Sequence, residues 1–185
     1  MTEIHAAWEV AIDLKDDLQK MGFRVVMTKT FENQFVRNRK RAEIANAAQA
    51  VLMVRLHCDA EGGTGFTTYY PDRQGHSEGI KGPNQIVLQE TKPIAIAFHQ
   101  KLAEDLRGIL NDNGLKGDEA TAVGHKQGAL TGSVFSKVPV VLVEMVVLTN
   151  PKDESFILNP ANRKKLAHSL ADATKTALSK GRIMG

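Results

Sequence analysis

A chain of 185 residues can bury one sizeable core and is too short for two ordinary domains. With 42% hydrophobic and 24% charged residues it has the composition of a globular protein, which excludes collagen-like, coiled-coil and wholly disordered organisation. The net charge of +3 is mildly basic, no apolar run approaches the roughly 18–20 residues that cross a bilayer, and the single cysteine, Cys58, excludes an intrachain disulfide.

The chain opens almost at once into a helix, Ile4 to Met21, whose apolar residues Val10, Leu14 and Leu18 recur at helical spacing. Gly22 ends it, and Phe23 to Thr28 reads as a short β-rich run. A second helix over about Val36 to Ala48 leads into Ala50 to Leu56, a near-continuous apolar strand of the kind covered on both faces in a parallel sheet. Gly65 to Tyr70 predicts another strand, nearer the sheet edge. Pro71 to Glu90 is polar and glycine-rich and reads as a long surface excursion.

A helix is then expected from about Pro93, suited to a first turn, to Asn111. Gly117 to Gly132 gives no clear pattern. Pro139 to Val143 predicts a buried strand with Glu144 at its end. Asn150-Pro151 and Asn159-Pro160 each cap and start a helix, the second one running to a tail expected to be loose over 181–185. Alternating helices and apolar strands predict one domain over 1–180. Its class is α/β, a three-layer α/β/α sandwich around a mainly parallel or mixed sheet, with the opening strand apparently missing because the chain starts on a helix.

Three polar residues stand out by position. His57 follows one buried strand and Glu144 another, and catalytic groups of open α/β sheets gather beyond the carboxyl ends of strands. Glu3, at the start of the first helix, belongs to the same rim. Histidine and carboxylate are suitable zinc ligands, and a carboxylate is a suitable general base. Each also has an ordinary reading as a loop, capping or first-turn residue. The basic cluster Arg37, Arg39, Lys40 and Arg41 lies in a helix and reads as a solvated face, and no zinc-finger spacing or phosphate loop points to nucleic acid.

Nearly the whole chain resembles the catalytic domain of the zinc-dependent N-acetylmuramoyl-L-alanine amidases of bacterial cell walls and endolysins. The resemblance rests on Glu3 with its helix to Gly22 and the run to Thr28, on Arg41 and Ile44 to Asn46 followed by Ala50 to Ala60, and on Pro139 to Glu154. It implies zinc held by Glu3, His57 and one further histidine, with Glu144 as the catalytic base for hydrolysis of the lactyl–L-alanine amide of peptidoglycan. It also implies a strand, a glycine-rich turn and a zinc histidine ahead of Glu3, where this chain has two residues; a truncated or late start is the expectation. His125 is the reserve candidate for a ligand or substrate contact.

Other departures are Arg55 where the family usually has serine, Val51 for an acidic residue, and Val146-Val147 for a glycine–aromatic pair. Arg55 is expected to pair with an acid or to oppose zinc. Cys58 reads as a small neighbour of the site. The implied partner is peptidoglycan or a muropeptide, at an extracellular, periplasmic or cell-wall location; no export signal is visible, which leaves cytoplasmic or phage-encoded origins open. Two other functions fit the same residues: a non-catalytic peptidoglycan-binding or regulatory module, and a zinc peptidase acting on stem peptides. A missing first strand also predicts an exposed sheet edge and self-association.

Overall fold

Thr2 starts the first helix, α1 (Glu3–Lys20), by accepting the His5 N–H at 3.2 Å, and Ala6, Val10, Leu14 and Leu18 form its buried stripe. The computed structural model describes residues 1–181, so the tail expected from 181 lies, beyond its first residue, outside the described residues. After α1 the chain forms α2 (Asn38–Ala47), β1 (Met53–Asp59), β2 (Phe66–Tyr70), β3 (Gly75–Ser77), β4 (Ile80–Gly82) and α3 (Gln85–Asp105). It continues through β5 (Asp112–Gly117), a 3-10 turn, α4 (Ala122–Gln127), α5 (Thr131–Val134), β6 (Val140–Val147), α6 (Pro151–Leu158) and α7 (Pro160–Gly181).

The central sheet is mixed, with strand order β1-β6-β2-β5. β6 runs parallel to β1 and antiparallel to β2, and β5 runs parallel to β2. Strand alternation divides β6 between two layers. Val141, Val143 and Met145 join the main core with the buried stripes of α1, α3 and α7. Val140, on the opposite face, packs with Met53 of β1 and Ala45 of α2. Helices thus cover both faces, as the α/β sandwich requires.

Several sequence expectations shift. Gly65 to Tyr70 does not lie at the edge: β2 is flanked by β6 and β5, and β5 takes the edge. The excursion from Pro71 is a β3–β4 hairpin leading straight into α3, because Asn84 accepts the Val87 N–H at 2.9 Å and caps the helix nine residues before Pro93. Pro93 therefore lies inside α3, where it is tolerated, and not in its first turn. Gly82 of the hairpin lies so close to α5 that a Cβ there would come 2.2 Å from the Val134 carbonyl oxygen.

Phe23 to Thr28 is not a strand. No backbone hydrogen bond joins it to the sheet among the described residues, and a strand without a ladder partner has nothing to fix it. Instead it lines the far wall of a slot of about 570 Å³ whose near wall is β1. Met53 donates its N–H to Pro139 O at 2.8 Å, toward β6, so alternation turns the N–H and C=O groups of Val54 and Leu56 into the slot. Ala7, Ala11, Leu14 and Leu18 of α1 cover one side of it, and Ile44 and Ala45 of α2 lie at its other boundary. Glu3 and His57 also line it.

Candidate active site

β1 and β6 bring the first two candidates together. Their parallel register runs from Met53↔Val140 to His57↔Glu144, so His57 and Glu144 are Cα partners. Both lie inside their strands, not after them: β1 extends to Asp59 and β6 to Val147. Alternation puts Arg55, His57 and Glu144 on the α2 face of the sheet, together with Thr67 of β2, which is Glu144's partner on the other side.

Glu3 reaches the same place from the first turn of α1. Its Oε1 lies 2.8 Å from His57 Nδ1. That hydrogen bond is the largest influence holding the Glu3 carboxyl below its ordinary range, against burial, with the Cys58 N–H and the Arg41 guanidinium adding to it. An ionised Glu3 can only accept, so Nδ1 carries the hydrogen. Arg41 is itself fixed by donating from Nε to Val36 O at 2.9 Å.

Glu144 behaves in the opposite way. Burial, with the negative charges of Asp59 and Glu3 beside it, pushes its carboxyl up to about 7, and Arg55 works against that rise. A carboxylate poised near neutrality suits a general base. Burial raises the Tyr69 hydroxyl, helped by the nearby charge of Glu144. Burial also pushes the Cys58 thiol upward, so it remains a thiol and packs against the core.

A histidine nitrogen and a carboxylate oxygen are donors of the type zinc takes. Their number is short: among the described residues, no group of three or more His, Cys, Asp or Glu side chains is gathered to hold a metal ion. Catalytic zinc centres use three protein donors, so Glu3 and His57 fit the metal in kind and do not complete its site. His125 is exposed on α4 and its ring makes no hydrogen bond to Glu3, His57 or Glu144. His5 turns away to Glu32 Oε1 at 3.0 Å, and His99 bonds Thr68 Oγ1 at 3.1 Å inside the fold.

Two acids that organise the site were not visible as such in the sequence. Asp153 is 2% exposed and accepts from Thr64 Oγ1 and Gly65 N–H, each at 2.6 Å, and from Val147 N–H at 2.9 Å. It ties the loop after β1 to the end of β6, whereas position alone suggests only a first-turn acid. Asp118, 1% exposed, sits in the glycine-punctuated region that gave no pattern and accepts the Leu130 N–H at 3.0 Å.

A family profile described as N-acetylmuramoyl-L-alanine amidase matches residues 1–176. The chain belongs to that family. The amidase also shares its fold with solved structures. The N-acetylmuramyl-L-alanine amidase Ami1 from Mycobacterium smegmatis superposes with a TM-score of 0.81 at 20% identity, over 97% of this chain and 78% of that one. AmiC2 of Nostoc punctiforme gives 0.77 at 16% identity over 97% and 86%. An N-acetylmuramoyl-L-alanine amidase from Clostridium difficile 630 gives 0.77 at 21% over 97% and 85%. At these identities the likeness carries the fold, and the family carries the amidase assignment. Comparison with curated proteins finds no match. No helix among the described residues is long and apolar enough to cross a membrane.

Proposed function

We propose that this amidase hydrolyses the amide bond between the muramic acid lactyl group and L-alanine of peptidoglycan, with Glu144 as the general base and with Glu3 and His57 as two of the donors to a zinc ion. The observation that carries the reading is the meeting of Glu3, His57 and a Glu144 raised to about 7 at one end of β1 and β6. Glu144 takes the proton from the attacking water as the carbonyl carbon becomes tetrahedral, and returns it to the departing L-alanine nitrogen. The products are the glycan lactyl acid and the free stem peptide. Zinc, when bound, supplies Lewis-acid polarisation of the scissile carbonyl. Glu3 Oε1 and His57 Nδ1, 2.8 Å apart, are donors of the type zinc takes, so the hydrogen bond between them would give way when a metal ion binds both residues. The substrate puts the place of action at the cell wall.

Among the described residues no third donor joins Glu3 and His57. The slot beside β1 is lined by Glu3 and His57 among others, and its β1 wall offers the unused backbone groups of Val54 and Leu56. We read it as the seat of the opening strand that the family resemblance calls for, with the third donor following from that strand's end. The test compares zinc content and muropeptide hydrolysis in this chain and in one carrying an apolar strand and a histidine-bearing turn ahead of Met1. One zinc per chain and stem-peptide release in the longer form are expected. Hydrolysis between stem-peptide residues would instead identify a peptidase.

One observation favours a second reading, a non-catalytic peptidoglycan-binding module: Glu3 and His57 satisfy each other, and no third metal donor is gathered with them among the described residues. Saturable muropeptide binding with neither zinc uptake nor turnover in both forms would establish it.

A further inference from the structure

Arg55 has no place in the chemistry above, yet it is 7% exposed directly beneath it. On β1 its Cα partner is Leu142, one strand repeat before the His57↔Glu144 pair, so its side chain lies on the same face as Glu144 and diagonally below it. The α5 backbone closes over the guanidinium: a Cβ at Gly132 would come 2.8 Å from Arg55 Cζ. The same segment holds Asp118, through the Leu130 N–H.

Three buried polar atoms around this charge lack a partner: Arg55 Nη1, Asp118 Oδ1 and Glu144 Oε2. None of the ion pairs within 4.0 Å joins Arg55 to either acid. The guanidinium is nevertheless close enough to draw down the carboxyls of Asp118 and Glu144 against the rise that burial gives them. A buried cation with an empty donor, near two carboxylates that each have a buried oxygen without a donor, is a costly arrangement if left dry. Buried water making two to four hydrogen bonds is the usual remedy for such groups.

We propose that Arg55 is a positioning residue for Glu144, linked to it and to Asp118 through buried water. The guanidinium supplies five donors in one plane. Water between Nη1 and Oε2 fixes one oxygen of Glu144, so that the carboxylate meets its substrate proton in a single orientation. Gly132 is part of the device, since a Cβ there would meet the guanidinium and push it aside. The proposal rests on the reading of Glu144 as the base.

A crystal structure of the full chain at a resolution that orders buried solvent tests the link. Water within hydrogen-bond distance of both Arg55 Nη1 and Glu144 Oε2 is expected; a guanidinium turned away from Glu144, or a direct ion pair with no water, overturns it. Hydrolysis tests the role, in the longer, zinc-loaded form. Arg55→Met should lower kcat about 10–100-fold with KM and zinc content within twofold, and Arg55→Lys should regain part of the loss. Gly132→Ala, which displaces the guanidinium while keeping it, should reproduce the kcat loss. Wild-type kcat in Arg55→Met with an intact fold overturns the positioning role. If the unsubstituted longer form shows no hydrolysis, the amidase reaction fails as a reading, and the crystal structure alone decides whether Arg55 is linked to Glu144.

Discussion

His57 and Glu144 stand side by side as Cα partners of the parallel β1–β6 ladder, with Met145, Val146 and Val147 still to follow in the strand. Being inside the strand, Glu144 is buried enough that its carboxyl rises to about 7, with Asp59 and Glu3 adding to the effect. A general base works only when ionised. A zinc ion on Glu3 and His57 would offset the Glu3 charge that helps raise this carboxyl, so the acid limb of the kcat/KM profile for muropeptide hydrolysis should have its midpoint below the metal-free value of about 7. Glu144→Gln should cost about 10²–10⁴-fold in kcat and remove that limb. An acid limb that survives in Glu144→Gln would show that Glu144 is not the titrating base.

The same displacement sets a stability trend. Folding raises this carboxyl from 4.5 to about 7, so the native state binds the proton more tightly than the unfolded chain. Stability from this group is present below 4.5 and is lost as the pH rises through about 7. Glu144→Gln removes that loss, so it should stabilise the protein at pH 8 by about 1–3 kcal/mol and by less at pH 5. Urea unfolding at the two pH values measures it. An equal effect at both would contradict the buried, charge-crowded setting of Glu144.

Asp153 is a carboxylate with its oxygens committed to Thr64, Gly65 and Val147. Asp153→Ala leaves two buried N–H groups without acceptors and should destabilise by about 3 kcal/mol or more. The loss should appear first as faster hydrogen exchange at Gly65 and Val147, because these bonds join the loop after β1 to the end of β6. Asp153→Asn, which keeps one acceptor oxygen, should cost less. Equal losses from both substitutions would mean that packing, not hydrogen bonding, is Asp153's contribution.

The meeting of Glu3, His57 and Glu144 at one rim was legible in the sequence because these residues sit on strongly patterned elements. The apolar run of β6 announces a buried strand, so a Glu144 within it is conspicuous; His57 stands out on β1 in the same way. The α1 stripe and its acidic first turn likewise place Glu3. What was not legible depends on tertiary partners. Phe23 to Thr28 has strand propensity and no ladder partner, and propensity alone does not make a strand. Asn84 outcompetes Pro93 as a helix start because it caps real N–H groups, which a local pattern of apolar residues does not reveal. Asp118 and Gly132 lie in short elements whose geometry follows from what they pack against.

The open edge of β1 gives a last prediction. Val54 and Leu56 present their backbone groups to the slot while Met53 bonds β6, so β1 has a free side along which another strand can pair. Self-association that grows with concentration is expected. Val54→Pro tests it selectively: the lost N–H faces the slot, so no bond of the β1–β6 ladder disappears, and proline is tolerated on an edge whose N–H is unused. In sedimentation velocity the substituted protein should remain monomeric at concentrations where the unsubstituted chain associates, with a similar thermal midpoint. Association persisting unchanged in Val54→Pro would move the contact away from β1. A monomeric unsubstituted chain would mean that the slot's own walls protect the edge.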